Sequence, residues 1–167
     1  MATGPGPSLK ARALKLLAQR EHSAVELRRK LLGFALAQQA ASQHDAERRV
    51  REPAPGVAAE IDALLDWLQA GGYLSESRFV ESRLRTRAQR YGNLRIRDEL
   101  DRHGVSLSPQ AQADLAASEV ERARAVWQRK FDALPADAAA RARQTRFLAG
   151  RGFSADAIRR VLRDADD

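Results

Sequence analysis

The 167-residue sequence contains no cysteine, and aromatic residues make up only 5% of it. Without cysteine the chain can form neither a disulfide nor a thiolate metal site, and a reducing compartment is expected. No apolar run approaches the roughly 20 residues needed to cross a bilayer. The first residues, MATGPGPS, lack a charged segment followed by an apolar stretch, so no secretory signal is predicted. We therefore expect a cytoplasmic protein without membrane contact.

Strand-forming residues are also scarce. Val, Ile and Thr are few, whereas Ala, Leu, Arg, Glu and Gln dominate, and these side chains lose little rotamer freedom in a helix. No alternation of apolar and polar residues between turn signals indicates a sheet. The predicted fold class is all-α, with apolar surface buried in thin strips between helices.

The charge is unbalanced toward the positive. Lys and Arg number 29 against 22 Asp and Glu, which gives a formal net charge of +7. This sign favours a polyanion or an acidic protein face as partner. Because the charges are intermixed, an ordinary arginine-rich, solvated helix surface is the alternative.

Capping residues and glycines predict the helix boundaries. Helix starts are predicted at Ser8, Ser23 (in a capping box with Glu26), Ser75, Ser108-Pro109, Asp137 and Ser154. Gly71-Gly72, Gly92-Asn93 and Gly104 should interrupt helices. The Ser108 helix is predicted to continue to about Phe131, and residues 35–56 to form a polar helical extension followed by a proline-broken loop.

One helical signature occurs three times. The spacing [S/G]-x3-[L/I]-x3-L is found at Ser23–Leu27–Leu31, Gly92–Ile96–Leu100 and Ser154–Ile158–Leu162. The sequence thus predicts three tandem three-helix repeats in an elongated, curved body. Their predicted bounds are 8–74 (with a polar insertion at about 35–56), 75–131 and 132–167, after a flexible lead over residues 1–7.

Residue patterns that support catalysis or cofactor binding are missing. Gly71-Gly72 follows a helix and lacks the Lys-Ser/Thr of a P-loop. His22, His44 and His103 are scattered, without ligands at metal spacing. Asp98 and Glu99 are adjacent and point about 100° apart, so they cannot act as a facing acid/base pair. Glu99 is expected to pair within its helix with Arg95 and Arg102. We predict a non-enzyme without metal or cofactor.

Arginines are the better-organised group. Arg83, Arg87 and Arg90 have the spacing of one helix face, opposite a stripe of Phe79, Val80 and Leu84. Arginine makes bidentate contacts with carboxylates and phosphates, although a solvated arginine face is also common. Trp67 and Trp127 lie in amphipathic helices and are interpreted as core anchors rather than stacking platforms, and Tyr73 and Tyr91 as packing residues.

The stretch from Tyr73 to Val105 resembles the bacterial RecX family. The residues that carry this resemblance are Gly72-Tyr73-Leu74, Arg78-Phe79 and the central motif Arg90-Tyr91-Gly92-x-x-Arg95-Ile96-x-x-Glu99-Leu100-x-x-x-Gly104-Val105. Weaker matches flank it at Arg20-Glu21-His22-Ser23 and at Arg151-Gly152-Phe153-Ser154. Two departures are Ser75-Glu76-Ser77, where the family often has acidic residues, and the long polar segment 35–56.

The resemblance implies a monomeric regulator that lies in the groove of the RecA recombinase filament on single-stranded DNA. There it would inhibit ATP turnover, strand exchange and filament growth, with weak direct DNA contact as a further possibility. The residues expected to contact the partner are Arg78, Arg83, Arg87, Arg90, Arg95 and Arg97. Those expected to hold the shape of the middle repeat are Tyr73, Phe79, Tyr91, Gly92, Ile96, Glu99, Leu100 and Gly104. The alternative function is a stand-alone basic helical module that binds single-stranded or duplex DNA.

Overall fold

The computed structural model describes residues 8–42 and 53–163, and these ranges contain nine α-helices and no strand. The helices are α1 (Leu9–Gln19), α2 (Ala24–Ser42), α3 (Val57–Ala70), α4 (Glu76–Arg87), α5 (Asn93–Arg102), α6 (Pro109–Ala117), α7 (Glu119–Gln128), α8 (Ala138–Gly150) and α9 (Ala155–Arg163). The all-α prediction is confirmed. The predicted lead at 1–7, part of the polar insertion and His44 lie outside the described residues. Within the described ranges no helix is both long and apolar enough to cross a bilayer.

Side-chain caps begin most helices where the sequence predicts them. Ser8, Ser108, Asp137 and Ser154 each accept the backbone N–H three residues on, at 3.2, 3.2, 2.6 and 3.2 Å. Ser23 Oγ accepts from the N–H of Glu26 at 3.1 Å, the serine half of the predicted capping box. Past the ends of α3, α5 and α8, Gly72, Gly104 and Gly152 have φ of +72°, +67° and +81°, where a side chain would be strained.

The chain divides into two compact units, Met1–Phe79 and Val80–Asp167. In the first unit α1, α2 and α3 pack around a core of Ala13, Leu16, Leu27, Leu31, Ile61, Leu65, Leu68 and Leu74. In the second unit α7, α8 and α9 pack around Ala123, Val126, Trp127, Leu148, Phe153, Ala157, Ile158, Val161 and Leu162. The signature leucines and isoleucines are therefore buried in both units, as their spacing predicts.

The second and third copies of the signature meet at their glycine turns. The N–H of Gly92 donates to the Arg151 carbonyl at 2.9 Å, and the N–H of Leu94 donates to the Gly152 carbonyl at 3.1 Å. A Cβ on Gly92 would lie 2.2 Å from the Gly152 carbonyl oxygen, so only glycine allows this approach. The turns before α5 and α9 thus form one backbone-to-backbone contact at Gly92 and Gly152, which we call the glycine junction.

Two polar side chains from α7 complete this junction. Glu119, which is buried, accepts the N–H of Asn93 at 3.0 Å, the N–H of Ser154 at 3.2 Å and the Ser154 hydroxyl at 2.7 Å. One carboxylate therefore binds the N-termini of α5 and α9 together, where the helix dipoles also favour negative charge. Arg122 donates to the carbonyls of Tyr91 and Leu115, both at 2.9 Å. Burial lowers the pKa of Arg122, and the charge of Glu119 opposes that shift.

The predicted single helix from Ser108 to about Phe131 is wrong, because α6 ends at Ala117 and α7 begins at Glu119. At this break, side chains donate hydrogen bonds to the backbone carbonyls. The Ser118 hydroxyl donates to the Asp114 carbonyl at 2.9 Å, and Arg122 binds the Leu115 carbonyl, which would accept from Glu119 in a continuous helix. α6 ends because the Ser118 hydroxyl and the Arg122 guanidinium bind carbonyls that backbone N–H groups would otherwise bind.

Candidate partner-binding surface

A basic depression of about 350 Å³ lies between α4 and α5 in the second unit. The residues that line it are Arg83, Arg87, Tyr91, Arg95, Glu99, Arg102 and His103. Three of the six arginines predicted to contact a partner are among them. With four arginines and one carboxylate, the depression suits an anionic group.

Glu99 is bound from the neighbouring helix rather than from its own. It accepts from Arg83 Nη1 at 3.2 Å and from Arg87 Nε at 3.0 Å. The expected pairing with Arg95 and Arg102 is wrong: Arg102 pairs with Asp98 at 2.6 Å. Packing of α4 beside α5 brings the two α4 guanidinium groups to Glu99, whose side chain is 18% exposed. Glu99 thereby fixes both groups toward the depression.

Tyr91 lies among three guanidinium groups. Its ring centroid is 4.6 Å from Arg95 Cζ, 5.7 Å from Arg87 Cζ and 5.8 Å from Arg151 Cζ. The ring quadrupole attracts these cations and allows them to approach one another. Arg95 also donates to the Gly150 carbonyl at 3.3 Å, so the third repeat helps to hold it. Tyr91 therefore organises the positive charge as well as packing.

The other three predicted contact residues lie elsewhere. Arg78 belongs to the first unit, where it binds Glu21 at 2.8 Å and the carbonyls of Gly72 and Tyr73. Arg90 follows the end of α4, so it does not continue the face of Arg83 and Arg87. It lines a separate depression with Gln89, Val126, Arg129, Lys130, Phe147 and Arg151. Arg97 lines a third, with Leu100, Asp101, Val105, Ser106, Leu107 and Gln112.

Comparison with known proteins assigns both halves of the second unit. Residues 75–113 match the model of the second three-helix domain of RecX, and residues 117–162 match that of its third. The chain is 48% identical to the regulatory protein RecX of Leptothrix cholodnii, over 97% of this chain and 92% of that protein. It belongs to the RecX family. The regulatory protein RecX of Ralstonia nicotianae is 45% identical over 95% of this chain and 89% of its own length. That of Pseudomonas fluorescens is 44% identical over 93% and 91%.

The family assignment locates the depression in the second RecX domain, with its α5 wall held by the third. The fold is thus an all-α fold built from RecX three-helix domains. The repeat bounds expected from spacing, 75–131 and 132–167, stay a prediction. The matched domain ranges place α7 with the third domain.

Half of the eight residues expected to shape the middle RecX repeat are buried. Phe79, Ile96 and Leu100 are at most 2% exposed, and Gly92 forms the glycine junction described above. Gly104 has the positive φ that ends α5. Tyr73 differs, since it is 50% exposed and belongs to a surface feature.

That surface feature is an aromatic pair in the first unit. Trp67 is 43% exposed and stacks on Tyr73 with ring centroids 5.4 Å apart, and Lys10 Nζ lies 3.8 Å from the Trp67 centroid. The interpretation of Trp67 as a core anchor is wrong, whereas Trp127 is buried and donates to Gln144 at 2.8 Å. In α3 the buried positions are Ile61, Leu65 and Leu68, and Trp67 lies on a different face.

A buried polar cluster at the start of α2 was not anticipated. His22 is 1% exposed, with Nδ1 2.9 Å from the Arg20 carbonyl and Nε2 3.0 Å from Lys30 Nζ. Because the Lys30 ammonium can only donate, Nε2 accepts and the ring is neutral. Burial lowers the pKa of His22, as do the charges of Arg20 and Lys30, whereas the Arg20 carbonyl and Glu26 raise it.

Glu26 supplies the negative charge of this cluster. Burial alone raises its pKa, but hydrogen bonds and charge from Arg20, with His22 and Lys30, outweigh burial and lower the pKa to about 2. Its partners include the guanidinium of Arg20 and Lys30 Nζ, the latter at 3.3 Å. The described part of the chain contains no group of three or more His, Asp or Glu side chains that could hold a metal ion.

Proposed function

We propose that this RecX-family chain binds the RecA recombinase filament on single-stranded DNA and inhibits its ATPase, strand exchange and growth. The observation that carries the proposal is family membership, combined with the basic depression built by the central motif. We further propose that the chain acts in the cytoplasm as a monomer, and by binding alone, without turnover of its own.

The depression supplies a reason for binding at this site. Arg83 and Arg87 are held by Glu99, and Arg87 and Arg95 by the Tyr91 ring. Fixed guanidinium groups lose less side-chain entropy when they bind a carboxylate or phosphate than mobile ones. A repeating filament offers the same acidic group many times, so weak contacts from Arg78, Arg90 and Arg97 could add to this one through multivalency.

The test is the ATPase rate of RecA on single-stranded DNA, titrated with substoichiometric amounts of the chain. We expect the wild type to inhibit. We expect Arg87→Ala/Arg95→Ala to need at least tenfold more protein, because two fixed cations are lost. Arg85→Ala is the matched control, since Arg85 is exposed on α4 and does not line the depression. No inhibition by the wild type at any ratio would refute the proposal.

A second candidate function, direct nucleic-acid binding, is favoured by the same excess of arginine over carboxylate. Phosphate contacts release counterions, and each contributes about −0.7 to the log–log salt slope on single strands. If the depression contacts three phosphates, the expected slope is about −2.

The salt slope separates the two functions. The affinity of the chain for naked single-stranded DNA should be measured by fluorescence anisotropy between low and moderate salt. Arg95→Ala/Arg102→Ala should make the slope shallower by about 1.4, the value for two phosphates, while Arg85→Ala leaves it unchanged. A salt-independent affinity would argue against direct binding and leave the filament proposal standing.

A further inference from the structure

An apolar groove of about 450 Å³ lies on the second unit and shares no lining residue with the basic depression. Its lining residues come from α8, from α9 and the turn before it, and from α5, which contributes Leu94. The residues that line it are Leu94, Arg141, Thr145, Ala149, Phe153, Ala155, Ile158, Arg159 and Leu162. A volume of this size lies within the range of about 300–1,000 Å³ found for sites that enclose ligands.

Leu94 is the most exposed large apolar side chain among the described residues, with 58% of its surface accessible. It directly follows the glycine junction, and the bond from its N–H to the Gly152 carbonyl fixes it beside Phe153. The fold therefore holds an exposed leucine in the lining of an apolar groove. Exposed apolar surface that is held rigidly and bordered by charge is typical of an interaction site.

The groove has the length of a short helix. Arg141, Thr145 and Ala149 line it at intervals of four along α8, which corresponds to about 12 Å at 1.5 Å per residue. A partner helix with apolar side chains at i, i+3 or i+4, and i+7 presents them over about 10 Å. The small side chains Ala149 and Ala155 leave room for larger ones from a partner.

The positive charge beside the groove indicates that the partner segment is negatively charged. Arg141 makes no ion pair with any of the described residues, and Arg159 shares Asp156 with Arg160, at 3.3 and 3.0 Å. Arginine thus exceeds carboxylate along the groove. A second copy of this chain, with a net charge of +7, would be repelled, whereas an acidic helix would be attracted.

We propose that this groove binds a short acidic amphipathic helix of the protein partner, with apolar side chains packed against Leu94, Phe153 and Ile158 and carboxylates paired with Arg141 and Arg159. The inference rests on the proposed function, because the partner surface that supplies the helix is assigned to the RecA filament. It adds a second, apolar contact to the charged one in the depression.

The absence of cysteine makes a site-specific test possible. Leu94→Cys, labelled with an environment-sensitive fluorophore, reports from the groove. Arg143→Cys, on α8 but not lining the groove, is the matched control. On addition of RecA assembled on single-stranded DNA, we expect a blue shift at position 94 and none at position 143. The anisotropy of the position 143 label measures filament binding independently.

Each outcome decides the inference. If anisotropy rises but the position 94 emission does not shift, the filament binds elsewhere and the groove assignment is wrong. If anisotropy does not rise, the proposed function fails and the groove assignment fails with it. A shift that needs only more unlabelled chain would indicate a second copy. If deletion of residues 164–167 shifts the position 94 emission without RecA, the groove is occupied by the chain's own acidic residues. Either of these last two results overturns the proposal.

Charge reversal gives a second measurement. Arg141→Glu should weaken filament binding at least tenfold, because it would place a carboxylate against an acidic helix. Arg143→Glu, the same change on the same helix, should leave binding within twofold. Equal effects of the two variants would show that only net charge matters and would overturn the groove assignment.

Discussion

At the scale of single residues, the central motif is explained by a few close contacts. Gly92 allows two backbones to touch, and Glu99 orients two arginines of the preceding helix. Glu119, which the motif does not include, binds two helix N-termini. The residue types of the motif are therefore explained both by the contact between two repeats and by the surface that these repeats expose.

Gly92→Ala should destabilise the second unit by about 2–4 kcal/mol, because the new Cβ would meet backbone that cannot move aside. The measurement is the free energy of urea unfolding, followed by Trp127 fluorescence in a Trp67→Phe background. Gly150→Ala is the control, because a Cβ there has no neighbour within 4 Å and alanine is the better helix former, so the change should not destabilise the unit. Equal losses in the two variants would contradict the close contact.

The buried His22 and Glu26 cluster should make the first unit sensitive to acid. Because the folded pKa of His22 lies below its usual 6.5, stability is complete above that pH and declines as the pH falls through it. The lowered pKa of Glu26 adds a second loss, from its usual 4.5 down to about 2.

Urea midpoints between pH 7.5 and 4 should show this decline, and His22→Asn should flatten its upper part. Trp67 reports on the first unit in a Trp127→Phe background. A midpoint that stays constant from pH 7 to pH 5 would contradict the role assigned to the buried neutral imidazole.

At the scale of helices, side-chain caps explain where most helices begin. Hydrogen bonds to other helices explain why equivalent caps differ in strength. Ser108 and Ser154 both accept a backbone N–H at 3.2 Å, but Ser154 also donates to Glu119 at 2.7 Å. Two helices with the same cap thus differ in how firmly they join the rest of the unit.

Ser108→Ala should cost about 1 kcal/mol, as expected for loss of a cap. Ser154→Ala should cost about 2–3 kcal/mol, because a buried carboxylate loses a donor as well. Urea unfolding of the two variants in a Trp67→Phe background, followed by Trp127 fluorescence, gives the comparison. The tertiary role of Ser154 would be refuted by equal costs.

At the scale of the whole molecule, each compact unit has its own core and its own tryptophan. Trp67 lies on the surface of the first unit and Trp127 in the core of the second. Each unit's stability can therefore be measured separately within the intact chain.

We expect Leu148→Ala to lower the unfolding midpoint reported by Trp127 in a Trp67→Phe background, with a loss of about 2–5 kcal/mol. Leu27→Ala should act in the same way on the midpoint reported by Trp67. Both leucines are 0% exposed, so the two substitutions are matched. If either substitution moved both midpoints equally, unfolding would be one cooperative event rather than two.

The fold class, most helix starts, the signature stripes and the family resemblance follow from local sequence. These depend on neighbours a few residues apart: a cap and the N–H three residues on, or apolar side chains one turn apart. Which charges meet and which aromatic residues are exposed depends instead on how the helices pack. Glu99 binds arginines 12 and 16 residues earlier, because another helix lies beside it. Trp67 is exposed, although its helix is amphipathic, because it lies off the face of α3 that carries Ile61, Leu65 and Leu68 into the core. The groove beside Leu94 could not be predicted, because it depends on three helices meeting, and no local pattern encodes that.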